Sequence, residues 1–144
     1  ETPTARPAGF DTDLDGLPDW FEAVVGTNPD SPADDFSDMR SDPDGDGFTL
    51  MDDYLAWLAA PHYDCDQDGS VIIDLSDLAR GFTDTPVFEV LDELNGTATV
   101  QGNGTSVEFL PSAAFTGLAE FTFRVTDADG DSMERAVGIR VPGN

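Results

Sequence analysis

Apolar residues follow two rhythms along this chain. Up to about residue 60 they recur at helical spacing inside short segments. Trp20 with Val24, and Phe21 with Val25, form i,i+4 pairs that predict a helix from about Pro18 to Val25, with Gly26 as its stop. LMDDYLAWLAA predicts a second helix with Met51, Tyr54, Leu55 and Leu58 on one stripe, ended by Pro61. Packed together, the two would bury Trp20, Phe21, Met51, Leu55 and Leu58. Between them, Ser31 and Pro32 have the form of an N-cap and first-turn proline for a short helix reaching Met39. Beyond residue 70 the period changes to two. VIIDLSDL, PVFEVLD, GTATVQG, TSVEFLP, AEFTFRVTD and MERAVGIRV read as strands, divided by Asn-Gly, Gly-Asn-Gly and Asp-Gly turns. Phe121, Phe123 and Val125 face one way and Thr122, Arg124 and Thr126 the other, so a β-sandwich is expected.

The helical segments each follow an acidic loop. In DTDLDGLPDWFE, Asp11, Asp13, Asp15, Gly16, Asp19 and Glu22 fill positions 1, 3, 5, 6, 9 and 12 of the EF-hand calcium loop. Alternate carboxylates wrap an ion that needs six to eight oxygens, the glycine makes the sharp turn, the Leu17 carbonyl adds a ligand and Glu22 a bidentate pair. In DPDGDGFTLMDD, 31 residues on, Asp42, Asp44, Asp46 and Gly47 recur, the Phe48 carbonyl falls at position 7 and Asp53 at position 12. Leu50 at position 9 leaves that place to water. No helix precedes the first loop, so each unit is half an EF-hand. A third run, Asp64, Asp66, Asp68 and Gly69, begins with the same spacing but meets Ile72 and Leu75 at positions 9 and 12. A third calcium there would need a longer loop closed by Asp74 or Asp77; the alternative is an acidic turn into the first strand.

Charge sharpens the division. Residues 1–68 carry eighteen acids against two arginines, and residues 69–144 twelve against four. Self-repulsion at the first density opposes compaction unless divalent cations neutralise it, so calcium is expected to be structural. The net charge of −24 with no lysine excludes ordinary nucleic-acid binding. No apolar run approaches the roughly 18 residues that a membrane span needs. The start carries no signal-peptide pattern and reads as mature or excised material. Cys65 alone forms no internal disulfide.

These residues support a resemblance. DTDLDGLPDWFE, the NPDSPAD linker and DPDGDGFTLMDDYL resemble the paired calcium repeats, of dockerin and thrombospondin type 3 character, of secreted bacterial proteins. NGTATVQGNGTSVEFLPSAAFTGLAEFTFRVTDADGDSMERAVGIRV is similar to the cadherin-like, immunoglobulin-like repeats of bacterial surface proteins. Their order resembles the C-terminal region of secreted pectate lyases, which implies catalysis in a domain outside this chain. The expected fold class is α+β: an extended lead-in (1–10), a small two-helix calcium-loop domain (11–68) and an all-β sandwich (69–144).

Among functions, intrinsic catalysis finds no support: one histidine, one cysteine and no nucleophile motif. Carbohydrate binding would use exposed aromatics, for which Trp57, Tyr54, Tyr63 and Phe82 are the candidates. Self-assembly would use edge strands near Val87–Leu91 or at the C-terminal strand, with Glu1–Phe10 as a donor segment. The reading is a non-catalytic, calcium-stabilised accessory module of an extracellular or cell-surface protein, appended to a polysaccharide-degrading enzyme. Calcium is its partner, with other copies or glycans as alternatives.

Overall fold

Helix α1 (Asp19–Val25) begins where Pro18, in an extended conformation, offers its carbonyl to the amides of Phe21 (2.8 Å) and Glu22 (3.1 Å). Gly26 ends it in the left-handed region (φ 88°), a conformation that a residue with a Cβ adopts only at a cost. In this computed structural model, which describes residues 5–143, the chain forms two compact units, Glu1–Ala59 and Ala60–Asn144.

Helix α2 (Leu50–Ala59) is started by a reciprocal cap. Thr49 N–H and Oγ1 donate to Asp52 Oδ2 (2.9 and 2.8 Å), and Asp52 N–H donates back to Thr49 Oγ1 (3.3 Å). The amides of Leu50 and Met51 are taken by the carbonyls of Ser41 (2.9 Å) and Met39 (3.1 Å), so the linker closes over the helix start. The linker itself is a series of turns; the helix expected from Ser31 to Met39 does not form. Asp35 accepts from its own Ser37 amide (3.0 Å), the local bond by which such residues compete with helix. The first unit's core is Leu17, Phe21, Leu50 and Tyr54. The expected stripe is thereby corrected: Leu55 is 53% and Leu58 44% exposed. Asp53 is raised by burial first and then by Asp46, Asp44 and Asp42, which it faces. A helix that turns Asp53 to the loop also turns inward Leu50, Tyr54 and Trp57, three behind, one ahead and four ahead, and swings Leu55 and Leu58 out. Trp20 bridges both helices, edge-on to Phe21 (5.7 Å) and tilted on Trp57 (4.9 Å).

The second unit is a sandwich of four and three strands. One sheet runs β1 (His62–Asp64), β7 (Ser132–Val141), β6 (Gly117–Thr126), β3 (Val87–Leu94); the other runs β2 (Val71–Asp74), β5 (Ser106–Pro111), β4 (Gly96–Val100). Along β6 burial alternates, with Phe121, Phe123 and Val125 inward. Phe109 of β5 stacks on Phe121 at 5.9 Å and 22°, joining the sheets across a core that includes Ile73, Leu75, Val107, Val137 and Ile139. The segment expected to continue β2 to residue 78 becomes a 3-10 turn at Leu75–Asp77, capped by Asp74.

Two expectations about this unit change. Strand β1 pairs in parallel with β7, His62 opposite Gly138 and Asp64 opposite Arg140, so the units divide at Ala59/Ala60 and not at 68/69. That pairing makes β7 an interior strand and removes the C-terminal strand as a free edge, whereas Val87–Leu91 does lie on the edge strand β3. In the lead-in, residues 1–4 lie outside the described residues. Residues 6–10 are tied to the first unit: Phe10 O accepts from Asp19 N (2.9 Å) and Arg6 covers the Phe10 ring (4.9 Å). A strand donated from there would first have to break those contacts.

Candidate metal centre

Carboxylate oxygens of Asp11, Asp13 and Asp15 lie within 4.8 Å of one another, and so do those of Asp42, Asp44 and Asp46. An ion held at about 2.4 Å from each oxygen bridges atoms up to twice that distance apart. The two loops reach this by the same backbone path. Positions 4 and 6 are left-handed in both: Leu14 (φ 62°) and Gly16 (105°), then Gly45 (73°) and Gly47 (96°). The carboxylates at positions 3 and 5 accept from amides two residues on: Asp13 from Asp15 (3.3 Å), Asp15 from Leu17 (2.8 Å), Asp44 from Asp46 (3.3 Å) and Asp46 from Phe48 (2.8 Å). These turns aim the remaining lone pairs at the loop's centre.

The loops differ in what is left over. In the first, Asp15 is 4% and Glu22 0% exposed, and Asp15 Oδ2, Glu22 Oε2 and Asp11 Oδ1 are buried with no protein donor. A buried carboxylate oxygen without a donor is costly, and a cation is the group that removes the cost. Burial, followed by Asp13 and Asp15, pushes Glu22 up from 4.5 to about 7; burial also raises Asp15. The first donor set therefore fits a hard divalent cation. Asp19, at position 9, is held by its neighbour: its two oxygens accept Thr12 N–H (2.7 Å) and Oγ1 (2.6 Å). Leu17 is fully buried, its amide held by Asp15.

In the second loop Asp42, Asp44, Asp46 and Phe48 are exposed. Asp42 is already held by the amides of Gly45 (2.8 Å), Asp46 (3.2 Å) and Gly47 (3.0 Å), bonds that lower its pKa, the Gly47 bond first. Asp53 is raised by burial and then by Asp46, Asp44 and Asp42. Leu50, at position 9, sends its side chain into the core.

The third candidate is corrected. Asp64, Asp66, Asp68, Asp74 and Asp77 do not come together: Asp64 lies in β1, Asp68 accepts from the Ala114 amide (2.7 Å), and Asp74 is spent on Ser76 N–H (3.0 Å) and Oγ (2.5 Å). The alternation Val71, Ile73, Leu75 wins, because closing a loop there would pull buried Ile73 and Leu75 out of the sandwich. Sequence reasoning missed Thr27 and Ser31. Ser31 donates to Asp13 Oδ2 through Oγ (2.7 Å) and N–H (3.2 Å), and Thr27 Oγ1 reaches Glu22 Oε1 (3.4 Å). A twelve-residue pattern carries no signal for residues beyond its end.

The model of the bacterial Ig domain matches residues 18–140. The chain belongs to the bacterial Ig domain family. Its match starts inside the first loop and runs through the sandwich. None of the curated proteins compared matches this bacterial Ig chain. Among solved structures it is similar to a nucleoside hydrolase-related hypothetical protein from Saccharophagus degradans described as associated with carbohydrate metabolism. Identity is 16%, coverage 58% of this chain and 22% of that one, and the TM-score 0.38. The chain thus spans about a fifth of that protein's length.

The aromatic candidates of this bacterial Ig chain are packing residues. Tyr54 is buried, Trp57 lies against Trp20, and Tyr63 and Phe82 pack on the sandwich core. Among the described residues no helix is long and apolar enough to cross a membrane.

Proposed function

We propose that this chain is a non-catalytic accessory module of an extracellular bacterial protein, in which calcium at the two acidic loops holds the first unit folded and the second unit is the immunoglobulin-like one. The observation that carries this reading is the buried group of donor-less carboxylate oxygens on Asp11, Asp15 and Glu22. Asp11, Asp13, Asp15, Glu22 and the Leu17 carbonyl would hold the first ion. Asp42, Asp44, Asp46, Asp53 and the Phe48 carbonyl would hold the second. The ion supplies charge neutralisation; the chain supplies a loop pinned by its own amides and a helix whose first turn carries Glu22 or Asp53. Bound at a hundred times its dissociation constant, an ion adds about 2.7 kcal/mol to the folded state. Attachment to a polysaccharide-degrading enzyme belongs to the same proposal and rests on the resemblance of the loop-plus-sandwich order.

Titration calorimetry on the whole chain tests the calcium reading. Two equivalents taken up, the first tightly, is the expected result. No heat and no stoichiometric uptake overturns it.

A further inference from the structure

Ser31 lies outside the first twelve-residue loop, yet it is bonded to one of that loop's acids at two points. Its hydroxyl (2.7 Å) and its N–H (3.2 Å) both donate to Asp13 Oδ2. Two donors fill that oxygen's two lone pairs. Asp13 Oδ1 receives the long bond from Asp15 N–H (3.3 Å), which leaves it a lone pair to give. The neighbouring acids are divided in the same way. Asp15 Oδ1 accepts from Leu17 N–H (2.8 Å) while Oδ2 has no protein donor; Glu22 Oε1 accepts from the Thr27 hydroxyl (3.4 Å) while Oε2 has none.

The chain thus holds one oxygen of each acid and leaves the other open. Asp13, Asp15 and Glu22 are all more than nine-tenths buried, so bulk water does not reach the open oxygens of Asp15 and Glu22. Mutual repulsion would swing Asp13 away from Asp11 and Asp15, whose carboxylate oxygens lie within 4.8 Å of its own. The Ser31 bonds oppose that rotation before any ion arrives, and a ligand already in place costs less to order on binding. Asp44, at the same position of the second loop, is exposed and accepts from the Asp46 amide (3.3 Å).

We propose that Ser31 is a positioning residue of the first cation site: by occupying Asp13 Oδ2 it presents Oδ1 as a single-oxygen ligand, and the bound ion in return locks Ser31 against the loop. This rests on the calcium reading above. Removing a group that orients a metal ligand typically costs about 10- to 100-fold in affinity.

The test uses the full chain and calcium chloride. In titration calorimetry, Glu22→Gln identifies which binding event belongs to the first loop. Ser31→Ala, which keeps the N–H and loses the hydroxyl, is expected to weaken that event about 10-fold and leave the other unchanged. Ser37→Ala, at an exposed serine of the same linker, is expected to change neither. A bond that merely supported the fold would be worth the same with and without the ion and would leave the affinity unmoved. Amide hydrogen exchange gives a readout that needs no variant. With calcium at a hundred times its dissociation constant, Ser31 N–H should exchange about 100-fold more slowly, and Ser37 N–H at an unchanged rate. If the unaltered chain takes up no calcium, the function proposed above fails. If it takes up calcium, but Ser31 and Ser37 behave alike in either measurement, the role of Ser31 fails alone.

Discussion

Glu22 is the residue on which the first unit's stability turns, and its sign depends on the cation. Without calcium its folded-state pKa, about 7, lies above the ordinary 4.5. The folded chain then binds more protons than the unfolded one between those values, so stability falls as pH rises through the window. With calcium the carboxylate must be ionised to bind, and that slope should disappear or reverse. We expect melting in chelator to be higher at pH 5.5 than at pH 7.5 for the first unit, and the order to be lost in excess calcium. Glu22→Gln should melt higher than the parent in chelator at pH 7.5, having no buried charge, yet gain little from calcium. Equal responses of parent and variant to calcium would remove Glu22 from the site. In the sandwich the sensitive position is Gly96, where an added Cβ would overlap the Phe109 ring and the Leu110 carbonyl. Gly96→Ala should cost about 1–3 kcal/mol in denaturant unfolding. Gly102→Ala, with open space around it, should be near neutral.

At the scale of elements, the legible parts are those whose pattern is local. Phe121, Phe123 and Val125 announce β6 because one face of the strand must be buried, and the register of β6 with β7 follows that alternation over ten pairs. Strand β1 escaped because HYD is too short to alternate and its partner lies more than 70 residues away. The loops were legible as Asp and Gly at fixed offsets, while Thr27 and Ser31 were not, being brought to the first loop by turns that no period records. Helix α2 was legible as a helix but not in its rotation. Leu55 and Leu58 are as apolar as Leu50, Tyr54 and Trp57, and only the demand that Asp53 look into its loop selects between the two faces. Leu50→Ala should therefore cost about 2–5 kcal/mol, enough to unfold a unit this small without calcium. Leu55→Ala should stay within about 0.5 kcal/mol. Circular dichroism melts in saturating calcium compare the two directly. Equal losses would mean that the helix packs by its other face.

For the whole molecule the deciding quantity is how charge is divided between the units. Residues 1–59 hold fifteen acids against two arginines; residues 60–144 hold fifteen against four, but spread over more chain and around a core of stacked phenylalanines. The sandwich owes its stability to burial, which no chelator removes. The first unit has three nearly buried apolar side chains on two short helices and a fourth, Leu17, in the first loop, with buried carboxylates that oppose them. Calorimetry of the intact chain should then give two transitions. Chelator should lower the first only, by about 10–20 °C if one ion contributes about 2.7 kcal/mol, since each kcal/mol moves a domain of this size by about 4–8 °C. Added sodium chloride should recover part of that loss, because screening relieves repulsion among exposed acids while leaving Asp15 and Glu22 without partners. A single transition that shifts as a whole with calcium would mean that the two units unfold as one. In that case the cation would support the sandwich as well as the loops.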